Sequence, residues 1–544
     1  MDEHGRAATL DVAARLRRRA AEDPGRPALI AGDVRWTYGE LHEQADAACA
    51  GLQALGVSAG DRVALVLGTT ASFVAAFAGV LRAGAVAVPL LPSLAPDELR
   101  HALADSGATV VLVGPERLDG VLGIHGALPA APIVVADVPS DHDLESHDLE
   151  SHDLESHDDP EGHERGIEVR RWSEVRADRP APPVLERAGD DLAALVYTSG
   201  TTGRPRGAML TRDNLAANQD QSLAGRFDVG PDDVVLLVLP LAHIYSLNIG
   251  LGAAVTAGAS LVLEERFDPA GTLDTIAGNG VTIVLGAPPM YVAWLQLAER
   301  DPDALRDAFT TMRLAVSGAA PLPMAVFERF RELTGHDIEE GYGLTEAAPG
   351  VATSSMAPAA RPGSVGMPLP GIDLRLVDDD GRDVEPGDPG EIWVRGANVF
   401  TGYWQDPDAT AATRTSDGWL RTGDLGSRDP DGFLYLVDRR RDLILVNGFN
   451  VYPREVERVL LEDDRVAEAA VVGAEHPLTG QTVVAHVVAR EGAQIDVDAL
   501  HGHLRDQLAR YKCPTRIEVV AALPQTATGK VRRAVLRGEQ PDGW

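Results

Sequence analysis

The chain has 544 residues, 44% of them hydrophobic and 24% charged, which is the composition of an ordinary globular protein with room for more than one core. A net charge of −33 excludes the basic face that nucleic-acid binding requires. The two cysteines, Cys49 and Cys513, fit neither a disulfide framework nor a zinc spacing, so a reducing cytoplasm is the expected setting.

The N-terminus is acidic and lacks an apolar core, so no secretory signal is expected there. Residues 9–20 read as an amphipathic helix with an arginine-rich face. Thr37 and Glu40 stand in capping-box spacing at the head of a second helix. Gly60-Asp61 turns into a buried strand at Val63–Leu67. A helical segment runs to Gly84, a strand follows at Ala85–Leu90, and another at Thr109–Val113. Strands alternating with helices predict a parallel α/β sheet.

Residues 141–159 are of another kind. The pentapeptide His-Asp-Leu-Glu-Ser begins at His142, His147 and His152, and a broken copy begins at His157. A period of five matches neither helix nor strand, so no face forms. Nine acidic residues within 141–159, with no Lys or Arg, predict a solvated, disordered insert, bounded at 140–163. A metal-binding His/Asp tract is the alternative, but nothing in the repeat fixes a geometry.

The apolar run Leu192–Val196 then breaks into Tyr197-Thr198-Ser199-Gly200-Thr201-Thr202-Gly203-Arg204-Pro205-Arg206-Gly207. A buried strand feeding a loop of glycines and hydroxyls with a basic residue reads as a phosphate cradle, although it lacks the Gly-Lys-Ser/Thr ending of the usual P-loop. The bland reading is a flexible polar loop. Downstream, Asp213-Asn214 starts a helix, and a strand at Val234–Leu239 runs into Pro240-Leu241-Ala242-His243. Taken alone, His243 is a structural hydrogen-bonder. Leu247–Leu263 is apolar but rich in Gly and Ala, and reads as a buried helix running into a strand, a poor membrane span.

Further strands are expected at Val281–Leu285 and Met312–Ser317. The second ends in Ser317-Gly318-Ala319, whose small residues permit close approach of a planar ligand. Glu339-Glu340-Gly341-Tyr342-Gly343-Leu344-Thr345-Glu346 offers a ring, a hydroxyl and carboxylates, with a capped turn as the bland reading. Residues 365–437 read as β-rich, with Asp-Gly turns at Asp380-Gly381 and Asp431-Gly432. Within them Gly423-Asp424 places a carboxylate on a tight turn. Asp438–Asp442 is a charged break between apolar stretches, where a domain boundary is expected. Gly448 to Glu457 leads into a helix. Lys530 stands on a Gly-containing loop near the end; such a lysine is ordinarily a solvated charge.

In this order the motifs resemble the adenylate-forming superfamily of acyl-CoA synthetases, luciferases and peptide-synthetase adenylation domains, over about residues 25–535, with bacterial fatty-acyl-CoA ligases most similar. The resemblance implies a large N-terminal domain (1–437) of mostly parallel sheets plus a β-rich subdomain, a hinge at 438–442, and a small mobile α+β C-terminal domain (443–544). It implies ATP, Mg²⁺ and coenzyme A, with a carboxylate first converted to acyl-AMP and then to acyl-CoA. Lys530, Glu346 and Thr198 would be catalytic, the last two also near the metal. Ser199, Gly200, Thr201, Thr202, Gly203, Arg206, Gly318, Ala319, Glu340, Gly341, Tyr342, Gly343, Thr345, Asp424 and Arg439 would bind ATP or AMP, with Asp424 on the ribose. His243 and Gly318 would face the acyl group, Arg441 would be the hinge residue, and Gly448 would line the path to coenzyme A. Arg206 and Arg441 depart from the family's usual Lys, and Lys or Asp, respectively. Arg keeps the charge as a planar fork. The resemblance implies a fatty acid as substrate. The alternatives are an aryl, short-chain or dicarboxylic acid, an acyl-AMP ligase loading a carrier protein, and, from another class, a non-catalytic binding homologue. A homodimer and transient membrane contact are compatible with the sequence.

Overall fold

The computed structural model describes residues 10–126, 128, 132–137, 169–176, 187–198, 205–439, 442–446, 449–476, 480–525 and 530–538. The acidic repeat, Ser199–Gly203, Arg441, Gly448 and the Arg439 side chain lie outside what is described.

Two large sheets dominate the N-terminal domain. In the first, Arg62–Val66 is flanked by Val86–Pro89 and Val110–Val113 in parallel, and the sheet continues through Ile133–Ala136 to Val169–Arg171 on one side. On the other side Leu192–Thr198 joins in parallel, and its hairpin partner Arg206–Thr211 joins antiparallel. The second sheet runs in parallel from Ile338–Gly343 through Leu314–Ser317, Ile283–Gly286, Val234–Leu237 and Ser260–Leu263 to Pro27–Ala31. Antiparallel strands close both of its edges.

The strands are apolar throughout because both faces are buried, as parallel sheets require. Alternate residues serve different cores. Val63 and Leu65 of the first sheet, and Val235, Leu237, Ile283 and Leu285 of the second, share one cluster. Ala64 and Val66 point the other way into a second cluster, and Leu236 and Val284 into a third. Helices Tyr38–Ala54 and Ala71–Arg82 fill the space between the sheets. They approach closely at Gly79, where a Cβ would fall 2.5 Å from that of Ala48.

The expected capping box is present: Thr37 Oγ1 accepts from the Glu40 amide, and the Thr37 amide donates to Glu40 Oε2. The first helix, Val12–Glu22, also forms, but its arginine face is not simply solvated. Arg15 is 5% exposed, pairs with both oxygens of Asp220 and donates to Thr256. The helix expected at Asp213 begins at Arg212, capped by Thr211 and Asn214.

The β-rich stretch is a four-stranded antiparallel sheet of Asp373–Val377, Gly390–Arg395, Leu420–Arg428 and Leu434–Arg439. The small C-terminal domain has its own core, built on the hairpin Val466–His476 and Gly480–Ala489 with helices Pro453–Leu461 and Val497–Gln507. Among the described residues no helix is long and apolar enough to cross a membrane.

Candidate active site

The ends of both sheets, the antiparallel sheet and the C-terminal domain surround one cavity of about 1010 Å³. Thr198, Arg206, His243, Gly318, Ala319, Gly341, Tyr342, Gly343, Thr345, Glu346, Asp424 and Lys530 all line it, so residues up to 332 positions apart in the sequence meet there.

The strand pair Leu192–Thr198 and Arg206–Thr211 sets the phosphate-loop end. Its register puts Thr198 opposite Arg206, at the two feet of the loop. Arg206 is held by Asp406, Nε to Oδ2 at 3.1 Å, and its guanidinium carbon lies 5.7 Å from the centre of the Tyr403 ring. The Tyr403 hydroxyl donates to Glu346 Oε1 at 2.7 Å. Burial, then the Glu346 charge, holds the Tyr403 phenol far above its usual pKa, so it stays a donor. Arg206 and Glu346 are thereby fixed against one shared aromatic ring.

Asp424 sits on the long strand Leu420–Arg428 and is 8% exposed. Its Oδ2 accepts from the Tyr342 hydroxyl at 2.8 Å, and its amide donates to Thr422 Oγ1. Tyr342 therefore presents more than a ring, because its hydroxyl orients the carboxylate expected at the ribose. Ala319 takes a positive φ of 68°, a conformation that costs a non-glycine residue energy and clusters at functional sites. Gly318 is needed for space: a Cβ there would lie 3.1 Å from the Tyr245 ring.

His243 follows the strand Val234–Leu237, and its Nδ1 accepts from the Tyr245 amide at 3.3 Å. In the neutral ring the proton is then on Nε2. The imidazole opens on the cavity yet lies deep in the protein. Burial, and then the nearby Lys530 ammonium, lowers its pKa to about 4, so it is neutral at physiological pH. That coupling puts Lys530, from the far end of the chain, within electrostatic reach of His243.

Among the expected site residues whose side chains are described, Glu340 is the one that the cavity does not include. Its strand neighbours Gly341 and Tyr342 line the wall, while Glu340 itself is 8% exposed and its carboxylate accepts from the Leu322 amide. Burial pushes its pKa up to about 7. Its carboxylate turns instead to the backbone amides of Leu322 and Gly363.

Several wall residues were not singled out in the sequence: Tyr245, Tyr403, Arg421, Gln525 and Arg532. Tyr245 lies two positions after the legible His243, and adjacency was the available clue. Tyr403 lies far from any such residue, in a short strand, Gly402–Tyr403, paired to Arg206–Thr211.

A large domain of two mainly parallel sheets and a small α+β domain around a shared cavity define the class, that of adenylate-forming enzymes. The AMP-binding enzyme family matches residues 16–404, and the AMP-binding enzyme C-terminal domain matches residues 455–530. A long-chain-fatty-acid–CoA ligase of Yersinia pestis is 35% identical over 94% of this chain and 92% of its own length. A feruloyl-CoA synthase of an Amycolatopsis species is 36% identical over 96% and 97%. The crystal structure of ATP-bound MatB from Rhodopseudomonas palustris superposes with a TM-score of 0.86 at 32% identity, covering 98% of this chain and 99% of that one. The chain belongs to the AMP-binding enzyme family, within the adenylate-forming superfamily.

Proposed function

We propose that the protein is an AMP-forming acid–CoA ligase. It activates a carboxylic acid with ATP, releasing pyrophosphate, and passes the acyl group from acyl-AMP to coenzyme A, releasing AMP. The observation that carries this reading is the presence of Lys530, from the C-terminal domain, in the same cavity wall as Thr198, Glu346, Asp424 and His243. The first step joins two anions, so its catalysis is largely positioning and charge compensation. Lys530 supplies positive charge where carboxylate and α-phosphate must meet. Arg206, clamped by Asp406, supplies it at the phosphate loop. Asp424 receives the ribose hydroxyls and the neutral His243 borders the acyl group. Transfer to coenzyme A follows rotation of the C-terminal domain about residues 438–442.

The donor set suits magnesium. Mg²⁺ at a nucleotide is commonly held by one or two protein oxygens, with phosphates and water completing its shell. Among the described residues no cluster of three or more His, Cys, Asp or Glu forms a metal cage, whereas Glu346 and Thr198 both face the cavity. Those two would hold the ion, which would neutralise phosphate charge. Cys49 is buried and Cys513 half-buried, both as free thiols, which supports a reducing cytoplasmic setting.

For the acid, a fatty acid is the reading supported by similarity to the Yersinia ligase. An aryl acid is the second reading, supported by similarity to the Amycolatopsis feruloyl-CoA synthase. The test is incubation with ATP, Mg²⁺, coenzyme A and a panel of carboxylic acids, with products read by mass. Acyl-CoA from any acid supports the ligase. Acyl-AMP without acyl-CoA points to a carrier protein as acceptor. No nucleotide chemistry with any acid leaves a binding homologue.

A further inference from the structure

Helix Pro96–Ser106 reaches the cavity wall at Glu98 and Ala102. Its His101 and Asp105, four positions apart and so on one row of the helix, do not line the cavity. Both are nevertheless bonded to the feet of the phosphate loop. The Tyr197 hydroxyl donates to Asp105 Oδ2 at 2.6 Å, and His101 Nε2 donates to the Pro205 carbonyl at 2.9 Å. Tyr197 precedes Thr198 and Pro205 precedes Arg206, so one helix grips both strands of the pair.

A second path leaves Asp105 by its backbone. Its carbonyl accepts from the Trp404 indole at 3.0 Å, and the Trp404 amide donates to the Gly207 carbonyl at 2.8 Å. Trp404 follows Tyr403, whose ring meets Arg206 and whose hydroxyl holds Glu346. Gly207 lies where the two paths close: a Cβ there would come 3.3 Å from the Tyr197 ring and 3.4 Å from Trp404 Cβ. The helix end that carries Asp105 is itself anchored. Arg62, on strand Arg62–Val66, donates to the Ser106 and Gly107 carbonyls and lies 5.8 Å from the centre of the Trp404 ring.

A phenol donating to a carboxylate at 2.6 Å is a short, charge-assisted bond, stronger than a neutral one. Burial, then this bond, holds the Tyr197 phenol above its usual pKa, so it remains the donor. Thr198 and Arg206 act on phosphates only from the right place, and misplacement by about 1 Å can cost on the order of a hundredfold.

We propose that Asp105 is a positioning residue for the triphosphate of ATP: its carboxylate holds Tyr197, and through Tyr197 the strand pair that carries Thr198 and Arg206. The proposal deepens the acid–CoA ligase reading, from which it takes the nucleotide, and adds to that site a residue outside the cavity wall.

The experiment compares full-length Asp105→Ala, Asp105→Asn and Tyr197→Phe proteins with the parent. Calorimetric titration with ATP and Mg²⁺, and separately with AMP, reads binding without turnover. Acid-dependent ATP–pyrophosphate exchange and thioester formation from supplied acyl-AMP read the two half-reactions. Asp105→Ala and Tyr197→Phe should weaken ATP binding and slow exchange by roughly ten- to a hundredfold. AMP affinity, KM for the acid and thioester formation should change little. Asp105→Asn keeps an acceptor oxygen for the phenol and should recover most of the loss. Asp105→Ala combined with Tyr197→Phe should cost little more than either alone, because both break one bond.

Parent-level ATP binding in both single variants overturns the proposal. So does an equal loss of ATP and AMP affinity, which marks a general structural defect, and so does an Asn variant as poor as the Ala variant. If Asp105→Ala does not fold, Tyr197→Phe decides alone, since it keeps the ring and loses only the hydroxyl. If no acid supports exchange in the parent, the ligase reading fails, and the comparison of ATP with AMP still decides this proposal. A parent that binds neither nucleotide overturns both.

Discussion

Replacing Glu340 by Gln should stabilise the protein at pH 8 and leave it nearly unchanged at pH 5. The residue is 8% exposed and sits on the same strand that carries Gly341 and Tyr342 into the cavity wall. Burial raises its pKa from the usual 4.5 to about 7, with the Leu322 and Gly363 amides opposing the shift. Each unit corresponds to about 1.4 kcal/mol, so the ionised form costs the fold roughly 3 kcal/mol. The sign follows from proton uptake. Between pH 4.5 and 7 the folded protein binds this proton more tightly than the unfolded chain, so the contribution is full below pH 4.5 and is lost as pH rises through 7. Most of that span, roughly 2–3 kcal/mol, falls between pH 5 and pH 8. Gln keeps the acceptor oxygen for the Leu322 amide and cannot ionise. Thermal and urea unfolding of parent and Glu340→Gln proteins at both pH values, compared as differences, reads the effect. A variant less stable than the parent at pH 8, or a difference that does not change between the two pH values, would refute the argument that desolvation governs this group.

Lys530→Ala should slow acid-dependent ATP–pyrophosphate exchange by roughly 10²–10³, the scale for removing one preorganised electrostatic group. Thioester formation from supplied acyl-AMP should fall far less, and equal exchange rates in the two proteins would remove Lys530 from the first step. Trp294 has no exposed surface and meets Phe267, Tyr291 and Phe309 edge to face, each with ring centres 5.5 Å apart. Trp294→Ala should cost about 3–5 kcal/mol and lower the unfolding temperature, and an unchanged transition would mean that this cluster is not the core of its layer.

The parallel architecture was legible because strands buried on both faces leave unbroken apolar runs, as at Val63–Leu67 and Val281–Leu285. The local helix start at Thr37 was legible because a capping box lies within four residues. Pairings between distant segments were not legible. Tyr403 fixes Glu346, and Tyr342 fixes Asp424, through hydrogen bonds spanning 57 and 82 positions, and no local period encodes such distances. Glu340 illustrates a further difficulty. A motif marks a stretch of chain, but backbone amides from distant residues, here Leu322 and Gly363, decide where a carboxylate within it turns, and no local pattern announces them. The arginine face of Val12–Glu22 illustrates the converse, because a charge pattern that suits solvent also suits a buried bidentate pair once Asp220 arrives from another helix.

The strand Pro27–Ala31 has a consequence for synthesis of the chain. It is made long before its parallel partner, yet it enters its sheet between the hairpin strand Val34–Thr37 and Ser260–Leu263. At typical elongation rates of about 5–20 residues per second, the partner strand is made roughly 10–50 s later. Throughout that interval Leu29 and its apolar neighbours have no parallel edge to join. The first sheet, by contrast, can begin to assemble from Arg62–Val66, Val86–Pro89 and Val110–Val113 as soon as they emerge. The two sheets thus have different birth orders, and Pro27–Ala31 waits for a parallel partner made much later in the chain.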